Sequence, residues 1–168
     1  MIKFFLLIGM ILFFNGCVSN SPYNDFEMET VEYVDIEKFM GDWYVIANIP
    51  TIIEKRATNS IESYYLNKDG EIETTFSFYK DSPKGDLKIY KPKGFIYNNK
   101  TNAEWRMQFL WPFKLPFLII ELDQDYSYTV IGHPSKKYVW IMARDPEMKE
   151  DRFKKILENL SDIGYDIS

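Results

Sequence analysis

Few side chains in this sequence could make or break a bond, and their settings argue against it. The 168 residues contain one histidine and one cysteine. His133 stands between Gly132 and Pro134 in a turn-like stretch. An imidazole there is ordinarily solvated or locally bonded, and nothing in the sequence gives it a partner for general-base work. One imidazole and one thiol cannot assemble a nitrogen–sulfur metal cluster within the chain. There is no glycine-rich phosphate cradle and no nucleophile elbow. The expectation is therefore no catalytic residue, no metal and no cofactor. The chemistry left is that of binding and anchoring.

Cys17 carries the anchoring signal. Lys3 precedes "FFLLIGMILFF", an eleven-residue apolar run that is too short to span a bilayer as a helix but suits the core of a signal peptide. "NGC" follows and resembles the processing site of a bacterial lipoprotein, in which the cysteine becomes the acylated first residue. Residues 1–16 then form a signal peptide, and 17–30 ("CVSNSPYNDFEMET") a polar, turn-rich tether. A spare thiol beside an ordinary signal sequence is the alternative. Val18 and Ser19 include no aspartate retention signal, so the expected address is the outer membrane, on its periplasmic face.

The elements that must position a binding site occupy residues 31–168. The chain is 46% hydrophobic and 17% aromatic, enough for one well-packed domain. Its net charge is −5 and no long basic block occurs, which excludes nucleic acid as an expected partner. From Trp43 to Arg144, short segments rich in Val, Ile, Thr, Tyr and Phe alternate with turn signals such as "NKDG", "SPKGD" and "GHPSKK". About eight strands are expected, near 43–49, 59–66, 71–80, 86–90, 93–98, 104–110, 117–122 with 126–132, and 137–143. One helix follows: Asp145 is the expected cap, Pro146 the first helical residue, and Phe153, Ile156, Leu157 and Leu160 the apolar stripe. Gly164 is placed to stop it. The expected fold is all-β: an eight-stranded antiparallel barrel with one C-terminal α-helix packed outside.

Three stretches carry a resemblance. "VDIEKFMGDWYVIANIP" has a short helical turn and then Gly41-x-Trp43 opening a strand. "LDQDYSYTVIGHPSKKYVWIMARDP" has an Asp-x-x-Tyr corner, a Gly-x-Pro turn and a Tyr-x-Trp-Ile strand ending in Arg144. "MQFLWPF" is an aromatic and proline loop. Together they resemble the lipocalin family, in its bacterial and apolipoprotein D branch, over residues 31–165. The resemblance implies an up-and-down barrel in which Trp43 plugs the closed end and the Arg144 guanidinium lies over its indole, neither touching ligand.

It also implies a site. With Trp43 inward, alternation turns Val45, Ala47 and Ile49 the same way. Matching "SIESYYL" to the family places Glu62 and Tyr64 inward, with Thr74 and Phe76 opposite. Trp105, Met107 and Phe109 share one face of the next strand, while Arg106 and Gln108 take the other. Composition alone fits a solid core equally well, and Glu62 and Glu121 are awkward as inward carboxylates. Lys84, Lys88, Lys91, Lys93, Lys136 and Lys137 fit either an open rim that meets phosphate or an ordinary solvated surface. The function implied is a non-enzymatic, membrane-anchored carrier of a fatty acid or lysophospholipid. A structural lipoprotein with a filled barrel is the alternative. "GYDIS" ends the sequence without the hydrophobic extension that joins subunits in some bacterial relatives, so homodimerisation is doubtful.

Overall fold

In the computed structural model, which describes residues 28–167, nine strand segments close into one antiparallel barrel. They are β1 (Gly41–Ile49), β2 (Ala57–Leu66), β3 (Glu71–Lys80), β4 (Leu87–Tyr90), β5 (Lys93–Ile96), β6 (Glu104–Leu110), β7 (Phe113–Leu122), β8 (Tyr128–Gly132) and β9 (Val139–Ala143). Each pairs with its sequence neighbour except at two places. The first and last, β1 and β9, pair with each other, which closes the barrel. The other exception is β4 and β5, which both pair with β3, at Phe76–Tyr79 and at Glu71–Glu73 respectively. They are two halves of one wall strand, broken at Lys91-Pro92 because proline cannot donate to the ladder. Eight barrel strands therefore stand as expected, but the grouping differs. The segments expected near 86–90 and 93–98 make one wall strand, and those expected near 117–122 and 126–132 fall in β7 and β8, two strands of a hairpin.

The closed end is built first in sequence. α1 (Ile36–Phe39) is a single turn capped by Asp35, whose side chain accepts from the Glu37 and Lys38 N–H groups. Gly41 follows with φ +95°, and a Cβ there would sit 3.4 Å from the Arg144 guanidinium. The positive φ, which side-chain-bearing residues rarely adopt, calls for glycine at this point.

The outer helix α2 (Glu150–Asp162) starts later than its sequence signals suggest. Asp145 and Pro146 lie in a bend, and Lys149 is the cap residue, without a side-chain cap bond. The Arg144 N–H donates to the Ser127 carbonyl, which carries the chain past the end of β9 before it turns. The helix begins where its apolar stripe can reach the barrel. Ile156 and Leu160 bury against Val130, Val139 and Ile141 on the outer face of β8 and β9. Gly164, at φ +89°, stops it: Gly164 N–H bonds to Ser161 O and Tyr165 N–H to Leu160 O, the paired bonds of a Schellman motif.

Met28, ahead of the boundary expected at residue 31, packs on this outer cluster. Cys17 and the expected signal peptide, residues 1–16, lie outside the described residues.

Candidate ligand-binding cavity

The barrel interior is filled at one end and hollow at the other. At the closed end the Trp43 indole is fully buried and donates to the Phe39 carbonyl at 2.9 Å. Phe39, Tyr64, Trp105 and Phe117 pack around it, with Phe39 5.0 Å from Trp43, and Trp105 stacked 5.4 Å from Phe117. Outside this plug, the Arg144 guanidinium lies 3.7 Å from the Trp43 ring centroid. It donates to the carbonyls of Lys38, Phe39, Met40 and Asp42 at 2.7–3.1 Å, so one side chain satisfies the end of α1 and covers the indole.

Above the plug lies a cavity of about 300 Å³, at the lower end of the range for small-molecule pockets. Phe76, Met107, Phe117 and Trp140 form its walls, and Ile52, Ile53, Phe109 and Leu115 its opening. The interior is thus packed at one height of the barrel and hollow at another.

Of the residues expected to face a ligand, Glu62, Phe76, Met107 and Phe109 line this cavity. Phe109 is at its half-exposed rim. Val45, Tyr64 and Trp105 belong to the packed interior. Thr74 is buried opposite Tyr64, and its hydroxyl has no hydrogen-bond partner. Ala47 does not point inward. A β-bulge between Val45 and Ala47 shifts the register, so Ile46 and Ala47 both pack on the helix side. Ile49 follows them outward, opposite Val139, while Asn48 takes the inner face opposite Trp140. Simple alternation cannot anticipate a bulge.

Glu121 is also outward. Its carboxylate accepts from the Tyr128 hydroxyl at 2.8 Å and from Asn159 of α2 at 3.3 Å. The lysines expected at the rim divide. Lys84, Lys136 and Lys137 sit on mouth loops, and Lys88 beside them pairs with Asp86 at 3.3 Å. Lys93 is at the other end, paired with Glu71 at 2.9 Å.

Two carboxylates face the cavity. Glu62 stands on its floor, paired across β1 with Trp43, and accepts a short hydrogen bond from Tyr64. Burial raises its pKa from the ordinary 4.5 to about 7; the Tyr64 bond opposes this and the Glu54 charge adds to it. The same surroundings push the Tyr64 phenol well above its usual range. Glu54, from the β1–β2 loop, was not anticipated from the sequence. It is buried and fully bonded: Oε1 accepts from Trp140 Nε1 at 2.6 Å and from Asn48 at 3.3 Å, and Oε2 from the Thr51 N–H at 2.8 Å and hydroxyl at 2.6 Å. Strand periodicity says nothing of a loop residue. His133 is at the rim, bonded to Ser135, and burial lowers its pKa.

The family model described as a lipocalin-like domain matches residues 34–168. The chain belongs to the lipocalin family. It is 32% identical over 153 residues to temperature-induced lipocalin-1 of Arabidopsis thaliana, covering 84% of this chain and 80% of that one. It is 27% identical over 167 residues to outer membrane lipoprotein Blc of Vibrio cholerae, covering 96% and 92%. Among solved structures, insecticyanin from Manduca sexta superposes with a TM-score of 0.62 at 18% identity, over 82% of this lipocalin and 77% of that chain. That likeness speaks to the fold. Membership of the family makes this lipocalin a non-enzymatic binding protein.

Proposed function

We propose that this lipocalin carries a fatty acid or the acyl chain of a lysophospholipid in its cavity, held at an outer membrane by acylated Cys17. The observation that carries the reading is a mostly apolar chamber, open at one end and closed below by an aromatic plug. Burying an acyl chain there contributes on the order of 0.8 kcal/mol per methylene, against association costs of several kcal/mol. Below pH 7 the protonated Glu62 on the floor presents no charge to an apolar tail. The sequence relation to an outer membrane lipoprotein and the "NGC" after a short apolar run support the anchor.

Mass spectrometry of lipid extracted from the purified protein tests the cargo. Met107→Trp adds volume at the cavity wall, and should displace the lipid while leaving the melting temperature nearly unchanged. Wild-type protein without lipid, and destabilised by the same substitution, would mean a filled barrel. Cys17→Ala should move the protein out of the membrane fraction. An unmodified cysteine in membrane-bound wild type would rule the anchor out.

A further inference from the structure

The mouth of the barrel presents apolar side chains that no part of the described chain covers. Leu110, Trp111 and Phe113, at the tip of the β6–β7 hairpin, are 70%, 80% and 68% exposed, and Ile52 across the opening is 83% exposed. Indole, phenyl and leucyl groups gathered at one tip are what a water–lipid interface accepts. We propose that this open end docks on an anionic bilayer, with the hairpin tip entering the interface and lysines of the neighbouring loops meeting lipid phosphates.

Charge supports the choice of partner. The chain as a whole is acidic, at −5, yet loops 50–56, 81–86 and 133–138 at the mouth carry Lys55, Arg56, Lys84, Lys136 and Lys137. Glu54 is turned inward, and Asp81 and Asp86 are engaged by Arg56 and Lys88, so the cations in excess on these loops are Lys55, Lys84, Lys136 and Lys137. A second copy of the chain meeting the patch mouth to mouth would bring these cations face to face, which a two-fold contact disfavours. A phosphate surface meets them with the opposite sign.

The route of the chain gives the same orientation. The Met28 sulfur lies 2.8 Å from where a Cβ on Gly132 would stand, and Gly132 adjoins His133 at the cavity opening. From Met28 the chain runs toward the closed end, where the Val34 N–H bonds to Thr101 O. Met28, the first described residue, therefore lies on the mouth side. An anchor at Cys17 would lie within roughly 40 Å of that point along an extended chain. Docking through the mouth does not require the anchor, since the hairpin and the lysines are part of the folded domain.

The test uses the full chain on vesicles of phosphatidylglycerol and phosphatidylethanolamine with brominated acyl chains. Trp43 and Trp105 are fully buried and Trp140 is bonded to Glu54, so an added quenching on vesicle binding reports Trp111. Emission should shift to the blue and be quenched, and Trp111→Phe should abolish the quenched component. Lys84→Glu, Lys136→Glu and Lys137→Glu together should weaken quenching on anionic vesicles by about tenfold or more in lipid concentration, and high salt should do the same to the wild type. A vesicle-bound chain whose Trp111 stays unquenched overturns the proposal. So does a blue shift without bromolipid quenching that accompanies a dimer made monomeric by Leu110→Asp. Failure to find cargo lipid in the cavity would leave this result untouched, so the two readings fail separately.

Discussion

Glu62 is the residue whose chemistry reaches furthest. In the folded chain its carboxyl keeps a proton up to about pH 7, while the unfolded chain releases it near 4.5. A raised carboxyl pKa means stability that is full below about pH 4.5, falls as pH rises toward 7, and is level above that. Glu62→Gln keeps the shape and cannot ionise, so its stability relative to wild type should rise across that window, by on the order of 3 kcal/mol at most. Urea titrations at pH 4 and pH 8 measure this; equal differences at both would show that Glu62 ionises normally. Ligand affinity should fall through the same range in the wild type and stay flat in the variant. The residue was legible in the sequence as an awkward inward carboxylate. Its neighbour Glu54 was not, because a loop side chain obeys no alternation. At the closed end the Trp43–Arg144 pair was legible through its motif, and the geometry yields a second expectation. Trp43→Ala should cost about 3–5 kcal/mol, and its effect should not add to that of Arg144→Ala. Additive losses in a double-mutant cycle would mean that the stacked contact contributes nothing of its own.

Among the elements, β1 shows what periodicity can and cannot supply. Its opening residues, Trp43 and Val45, follow the alternation, and the bulge after Val45 reverses it. Ala47 consequently faces Ile141 and the helix instead of the cavity. Ala47→Phe should therefore overpack the contact between β1 and α2, at about 1–3 kcal/mol, and leave ligand affinity as it was. Lost affinity with unchanged stability would return the side chain to the interior. The start of α2 was misjudged for a related reason. Asp145-Pro146 is a good local signal for a helix, but the backbone bond of Arg144 to Ser127 and the packing of Ile156 and Leu160 decide where the helix begins. The end was legible, because Gly164 supplies a backbone angle that few other residues adopt easily. β4 and β5 were read as separate strands, since turn-like residues at Lys91-Pro92 look the same whether a strand ends or merely breaks.

On the scale of the whole molecule, the closed barrel and its outer helix were readable from the strand count, the turn chemistry and the three quoted stretches. The division of the interior into plug and chamber was not. Inward residues of both halves are equally apolar, and only their height along the barrel separates Trp105 in the plug from Met107 on the chamber wall. That height depends on register, and register depends on bulges in β1, β2, β6 and β7.

Arg144 reaches back across 102–106 residues to cover the end of α1 and the first strand. Contacts of such long sequence separation form late, since most of the chain must be in place before they contribute. A nascent chain that lacks β9 has neither the partner that closes β1 nor the cation that seals the plug. Closure of the barrel thus requires a chain that already includes β9 and Arg144. Under the export that the proposed anchor implies, this requirement keeps the chain open for threading across a membrane, because its last-made barrel strand is also the one that locks the first.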